Sequence, residues 1–220
     1  MDFLSELVYA RGPWDYFEKA IARLLVHKGW DNVELVGGTG DKGADIIATN
    51  REVEYVFQVK YSGISRSLSS NVKIVEDVIR AMEFYEIDKG ICISNRNLNE
   101  AQSKKLQTYK DSGFDVKSYT GAKLLTDFEK MDPWIKDIRE PHNYQIECIR
   151  ELKAVYPRNR KGLIALATGM GKTFVACSFI KWLYENNRNL NILVLAHTEP
   201  LLEQFEKSLW KSLPKSVTTS

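Results

Sequence analysis

Apolar residues recur at Trp14, Phe17, Ile21, Leu24 and Leu25, a 3.6-residue spacing that predicts a helix from Trp14 to Lys28 with Gly29 as its stop. The pattern then changes period. Val33 to Val36, Ala44 to Thr49 and Glu54 to Tyr61 read as three short strands, joined by a Gly-rich turn at residues 37–43 and a polar turn around Asn50, which predicts a meander. An amphipathic helix is expected from about Val72 to Tyr85, a buried strand from Gly90 to Ile93, a helix from about Asn99 to Lys110, a strand from Phe114 to Tyr119 and a short helix near Leu124 to Phe128. That order is α/β.

The stretch KMDPWIKDIREPH loses periodicity and carries two prolines, so a linker at residues 131–141 separates a first domain, 1–130, from a second part, 142–220. The pattern then starts afresh. Residues 144–154 read as a helix, Leu163 to Leu166 as a short buried strand, Thr173 to about Tyr184 as a helix after a Gly-bearing turn, Asn191 to Ala196 as a second apolar strand and Leu201 to Leu209 as a helix. The parallel sheet such a unit begins is expected to be incomplete as it stands.

Composition changes this picture only slightly. A formal charge of +2 over 220 residues gives no global basic signal, so any nucleic-acid role has to come from local patches. Cys92, Cys148 and Cys177 lie far apart in no metal-ligand spacing, the mark of reduced thiols rather than a disulfide framework. No apolar run approaches the roughly 20 residues that span a bilayer, and the acidic start MDFLSEL lacks a secretory n-region. We expect a soluble, cytoplasmic protein with no membrane partner.

Chemistry concentrates first in GTGDKGADIIATNREVEYVFQVK, where Asp45 stands beside Ile46 and Ile47 and a later strand ends on Gln58, Val59 and Lys60. Aspartate is disfavoured in strands, and a carboxylate among isoleucines needs a compensating partner. Period-two alternation puts Val56, Gln58 and Lys60 on one face, and a hairpin turning at Asn50 brings them back to Asp45. Asp45, the Gln58 oxygen and the Val59 carbonyl then suit Mg²⁺, a cation that takes oxygen ligands. Lys60 is placed to orient or deprotonate an attacking water and to offset charge on a phosphate, which is phosphodiester hydrolysis. Glu18 lies within about 40° of Trp14 and about 20° of Leu25 on the helix wheel, at the margin of the apolar stripe. Its expected task is to contact Lys60 or the water that the metal carries, or to form an ordinary salt bridge. The plainer alternative makes Asp45 a turn cap and Lys60 a strand-end residue reaching for solvent.

With FEKAIARLL, GGTGDKGADII and FQVKY in this order, the run from Phe17 to about Leu125 resembles the Mrr-like branch of the PD-(D/E)xK restriction endonucleases. The resemblance implies a restriction-endonuclease-like mixed sheet flanked by helices. It makes Glu18, Asp45, Gln58 and Lys60 the helix-one glutamate, metal aspartate, Gln/Glu and lysine of that family, with double-stranded DNA as substrate. Arg66 in KYSGISRS is a candidate phosphate contact or a solvated loop residue. Ser94 and Asn95 lie near the cleft or, more simply, cap a helix.

The second cluster is LIALATGMGKTFVACSFIKWL, a strand, loop and helix whose Gly169 and Gly171 let backbone amides approach an anion at a helix N-terminus. Lys172 would reach the phosphates of ATP and Thr173 would hold Mg²⁺ by its hydroxyl. Leu166 stands where the strict phosphate-loop pattern has glycine. The A-T-G-x-G-K-T form instead resembles motif I of superfamily-two helicases and restriction-enzyme motors, a truncated RecA-like parallel α/β segment. PHNYQIECIREL resembles their adenine-reading element, which implies that Gln145 bonds the base while Tyr144 or His142 packs nearby. NILVLAHTEPLLEQF resembles the DNA-contacting motif that follows, although Thr198 replaces a common basic residue and His197 reads as a helix-boundary histidine. No D-E-x-x box occurs between Lys172 and Ser220, so ATP turnover is not expected from this chain alone. It reads as the front end of a longer helicase-nuclease of restriction or phage defence, with two nuclease sites meeting in a homodimer or acting in succession. The rival readings are a DNA-binding motor with an inactive nuclease fold and a repair or recombination nuclease.

Overall fold

The computed structural model describes residues 14–37, 42–62, 72–135, 139–159, 161–187 and 190–219. It divides into two compact units, Met1–Asp132 and Pro133–Ser220. The first runs α1 (Trp14–His27), β1 (Asp31–Leu35), β2 (Ile46–Asn50), β3 (Val53–Lys60), α2 (Lys73–Tyr85), β4 (Lys89–Ser94), α3 (Glu100–Asp111), β5 (Asp115–Thr120) and α4 (Gly121–Glu129). Its five strands form one sheet in the order β1-β2-β3-β4-β5. β1 to β3 are antiparallel, the meander the pattern predicts, while β3, β4 and β5 are parallel, with α2 and α3 as the crossovers between them.

The hairpin between β2 and β3 sets the register that matters. Its two loop residues, Arg51 and Glu52, both have positive φ, at 51° and 66°, which a two-residue turn of the primed type requires. Asn50 therefore pairs with Val53 and the ladder runs without slippage to Ile46 opposite Phe57. One step further, Asp45 meets Gln58. A two-residue hairpin leaves no slack for another pairing, so this short turn fixes the site at the far end.

Helices cover both faces of the sheet. Val56 and Cys92 pack in one cluster with Ile74, Val75, Val78 and Met82 of α2, Leu106 of α3 and Val116 of β5. The opposite side chains of β3 belong to the α1 face, where the Phe17 and Tyr61 rings lie 5.7 Å apart and Phe17, Ile21 and Leu24 are fully buried. Full burial of each such side chain stabilises by about 1.5–3 kcal/mol relative to exposure. Of Trp14, only the backbone is described.

The second unit holds α5 (Asn143–Asn159), α6 (Lys172–Asn186) and α7 (Glu199–Trp210). α5 runs past the expected 144–154 and includes Pro157 in its last turn. The two strands expected here are not formed. Residues 161–167 and 191–196 carry no ladder, and Leu163, Leu193 and Leu195 are 96%, 81% and 82% exposed. A strand exists through hydrogen bonds to a neighbour, and among the described residues of this unit no segment supplies them. The second segment keeps a strand's alternation all the same: Ile192 and Val194 pack with Cys177, Ile180, Leu209 and Leu213, while Leu193 and Leu195 face out. All three cysteines are unpaired, as expected. Among the described residues no helix is long and apolar enough to cross a membrane.

α1, β5 and α4 are tied by a polar triangle. Lys28 Nζ donates to Tyr119 Oη at 3.1 Å and to Asp127 Oδ2 at 3.0 Å, and the Tyr119 hydroxyl donates to the same oxygen at 2.9 Å. The bonds from Lys28 and Tyr119 hold the Asp127 carboxyl below the 3.8 of an exposed aspartate, against the opposing effect of burial. A depressed folded-state value stabilises above 3.8, and the contribution is lost as the pH falls through that lower value. Both side chains of the ion pair are about a third exposed, so solvent screens it. Asp127→Asn is expected to cost no more than about 1 kcal/mol at neutral pH, and urea denaturation should show the difference from wild type shrinking as the pH is taken below 3.8.

Candidate active site

Asp45 stands one residue before β2, with its backbone shared between two strands: its carbonyl accepts from Val36 N and its N–H donates to Phe57 O, both at 2.9 Å. The turn that delivers it is seated on α2. A Cβ on Gly43 would lie 2.4 Å from the Asp77 carbonyl oxygen, so only glycine permits that approach. The Asp45 side chain is 6% exposed and Gln58 is 2% exposed. A buried carboxylate must find donors. Asp45 Oδ2 receives one from Val59 N at 2.6 Å and another from Gln58 Nε2.

Gln58 Nε2 is also 3.3 Å from the Val59 carbonyl oxygen, so Asp45, the Gln58 amide and Val59 share one small volume. The orientation differs from expectation. The amide turns its nitrogen, not its oxygen, toward Asp45, because N–H is what complements a carboxylate directly. A half-turn about the terminal side-chain bond exchanges the two atoms and brings Oε1 beside Asp45 Oδ2 and the Val59 carbonyl. Those are hard oxygen donors of the kind Mg²⁺ takes. Among the described residues no three His, Cys, Asp or Glu are grouped so as to hold a metal ion, so an ion here would rest on carboxylate, amide and carbonyl oxygen together.

Glu18 reaches the same place from α1. A point one Cβ bond from Gly37 lies 3.4 Å from Glu18 Oε2 and 3.7 Å from Asp45 Oδ1, so both carboxylates face it, and Glu18 is half-buried as its position on the helix predicts. Lys60 ends β3 on the Gln58 face and is exposed; among the described residues it forms no ion pair. By the alternation of β3, Lys60 shares the face of Gln58, the residue that meets the Asp45 carboxylate. On the other side Tyr61 packs on Phe17. Burial pushes its hydroxyl up, partly offset by the Arg96 charge.

Ser94 pairs with Lys60 in the β3–β4 ladder. Neither it nor Asn95 caps a helix: α3 is capped by Asn99, whose side chain accepts from Gln102 N while Gln102 Oε1 accepts from Asn99 N. Asn95 instead bonds the backbone of Ser62. Arg66 and residues 38–41 of the Gly-rich turn lie outside the described residues.

In the second unit the residues expected to form a phosphate loop lie together, with a departure at Gln145. Gly171 is the N-cap of α6 and, having no side chain, makes no cap hydrogen bond to the first turn, which begins with Lys172 and Thr173. Lys172 Nζ donates to the carbonyls of Leu166 and Ala167 at 2.9 and 3.2 Å. Gln145, expected to bond a base, is 1% exposed and engaged at both ends: Oε1 accepts from His142 N and Nε2 donates to Met170 O, each at 3.1 Å. It links the element before α5 to the loop instead of facing out. The His142 and Tyr144 rings stack at 5.5 Å, with Tyr144 36% exposed. Arg139 was not legible in the sequence. It lies over the Phe174 ring at 4.5 Å, with Nη2 3.7 Å from where a Gly171 side chain would begin.

A family model described as "Restriction endonuclease" matches residues 10–125, and one described as "Type III restriction enzyme, res subunit" matches residues 138–219. No curated protein and no solved structure matches the chain.

Gly169 and Gly171 both have positive φ, at 83° and 74°, but a Cβ on Gly169 meets open space while one on Gly171 would lie 2.4 Å from Gln145 Nε2. In thermal denaturation of the intact chain, Gly169→Ala should cost about 1–2 kcal/mol from backbone strain alone. Gly171→Ala should cost distinctly more, and equal losses would show that Gln145 yields freely.

Proposed function

Because the chain belongs to the restriction endonuclease family, we propose that its first unit hydrolyses phosphodiester bonds of double-stranded DNA with Mg²⁺, within a restriction or phage-defence nuclease whose second unit binds ATP. The observation that supports this reading best is the meeting of Asp45, Gln58 and Val59 in one volume, with Glu18 facing it and Lys60 on the Gln58 face of β3.

Asp45, the Gln58 oxygen and the Val59 carbonyl would hold the Mg²⁺. When bound, such an ion would supply Lewis acidity for phosphodiester hydrolysis. Lys60 extends from the rigid end of β3 toward solvent, where the backbone of DNA is accessible, and its ammonium counters the negative charge that builds on the phosphoryl oxygens. A water oxygen bonds to phosphorus as the phosphorus–oxygen ester bond opposite it breaks. Lys60 orients that water, its proton passes to solvent, and the departing alkoxide takes one up. Glu18 steadies Lys60 or the water. Cutting both strands takes two such sites, from a homodimer or from successive events. ATP-driven translocation along DNA is not assigned to these 220 residues.

One observation favours the rival of a DNA-gripping but inactive fold: Asp45 is already satisfied by Gln58 and Val59 N–H groups. Plasmid cleavage decides between them. We expect Asp45→Ala and Lys60→Ala each to lower Mg²⁺-dependent cleavage by at least about 100-fold, with DNA binding retained; cleavage that survives both changes rules out the assignment. Branched and linear duplexes run side by side separate a repair nuclease from a restriction one.

For the second unit, the Lys172 ammonium and the uncapped first turn of α6 are the anion-binding groups. Lys172→Ala is expected to weaken ATP binding by at least about tenfold, measured by calorimetry with Mg²⁺ present. Unchanged affinity would leave the loop without its assigned role.

A further inference from the structure

The β3–β4 ladder stops at Lys60 opposite Ser94. Strand ends fray when their last backbone groups go unpaired, yet Lys60 is a residue whose position the proposed chemistry depends on. Just beyond the last rung, Asn95 Oδ1 accepts from Ser62 N at 2.8 Å and Asn95 Nδ2 donates to Ser62 O at 3.0 Å. A side-chain amide has the same donor and acceptor as a peptide group, so Asn95 adds a rung that the backbone of β4 no longer provides. It is 5% exposed. Burying an amide there is costly unless both its ends are paired, and they are.

The residue that makes this rung is itself held. Arg96 N donates to Ser94 Oγ at 3.3 Å, and Asn99 closes the capping box of α3 four residues on. Between them, a Cβ on Gly121 would lie 1.9 Å from Asn97 Oδ1, so the segment is pressed against the end of β5. Asn95 thus stands on a short support fixed at both ends.

We infer that Asn95 is a positioning residue for Lys60: by clamping both main-chain groups of Ser62, it fixes the exit of β3 and with it the place from which the Lys60 ammonium meets the scissile phosphate. The inference rests on the proposed nuclease reading. It acts through the backbone and not on DNA, so it predicts a loss in turnover with substrate affinity unchanged.

The test uses the full 220-residue chain with Asn95→Ala and the isosteric Asn95→Asp, alongside wild type and Lys60→Ala. Asn95→Ala should lower kcat about tenfold or more with KM within about twofold of wild type, and Ser62 amide exchange should accelerate. The Asn95→Asp variant provides a pH signature. Ionised, its carboxylate accepts from Ser62 N but repels Ser62 O; protonated, it regains a donor and restores both bonds. Its activity relative to wild type should therefore rise as the pH is lowered, with protection of the Ser62 amide rising in parallel, whereas a loss of general stability would show as accelerated exchange throughout the first unit. Wild-type kcat in Asn95→Ala, a rise in KM without a fall in kcat, or a flat activity ratio for Asn95→Asp overturns the inference. Should wild type itself not cleave, or Lys60→Ala cleave equally well, the nuclease reading fails on its own account. The clamp is then judged by Ser62 exchange alone, and unchanged exchange in Asn95→Ala refutes it.

Discussion

A carboxylate removed from water has to be answered by donors, and the first unit is organised around how Asp45 is answered. Two of its donors come from consecutive residues of one neighbouring strand, the Gln58 side chain and the Val59 main chain. That arrangement requires β2 and β3 to pair in a single register, and a turn of only two residues enforces it. A slip of one residue would turn Gln58 to the α1 side and bury Lys60 against Phe17. The Arg51–Glu52 turn and the site thus constrain each other from opposite ends of the same hairpin.

The two units satisfy polar groups in different ways. In the first, side chains at the site serve the sheet: Gln58 bonds within its own hairpin, and Asn95 extends a ladder. In the second, side chains serve a loop without a sheet. Gln145 bonds Met170 and Lys172 bonds Leu166 and Ala167, so the residues proposed to bind phosphate stitch together a turn that no ladder flanks. A phosphate arriving at Lys172 has to replace two carbonyl oxygens that already occupy the ammonium.

Much of this was legible in the sequence because the informative signals were local. Phe17, Ile21 and Leu24 mark α1 by spacing, and Asp45, Gln58 and Lys60 stand out because their chemistry conflicts with apolar neighbours. What was not legible depends on contacts distant in the chain. Asn95 reads as a helix cap since Asn caps helices often, and only the parallel pairing of β3 with β4 shows that Ser62 is its partner. The strands at 163–166 and 191–196 were expected from apolar runs, but an apolar run states only that a segment would be extended and buried if partners existed. Leu163 and Leu193 show the difference. The Gln58 orientation is decided by which atom faces a carboxylate, a matter of tertiary placement.

The buried thiols give the two units separate reporters. Cys92 sits in the core of the first and Cys177 in the core of the second, and burial pushes both thiols up to about 12. A thiol held protonated and out of solvent reacts with an alkylating reagent only when its surroundings open. Since Cys148 is partly exposed and sits outside both clusters, the labelling rates of the other two record the opening of each unit independently, with no engineered probe.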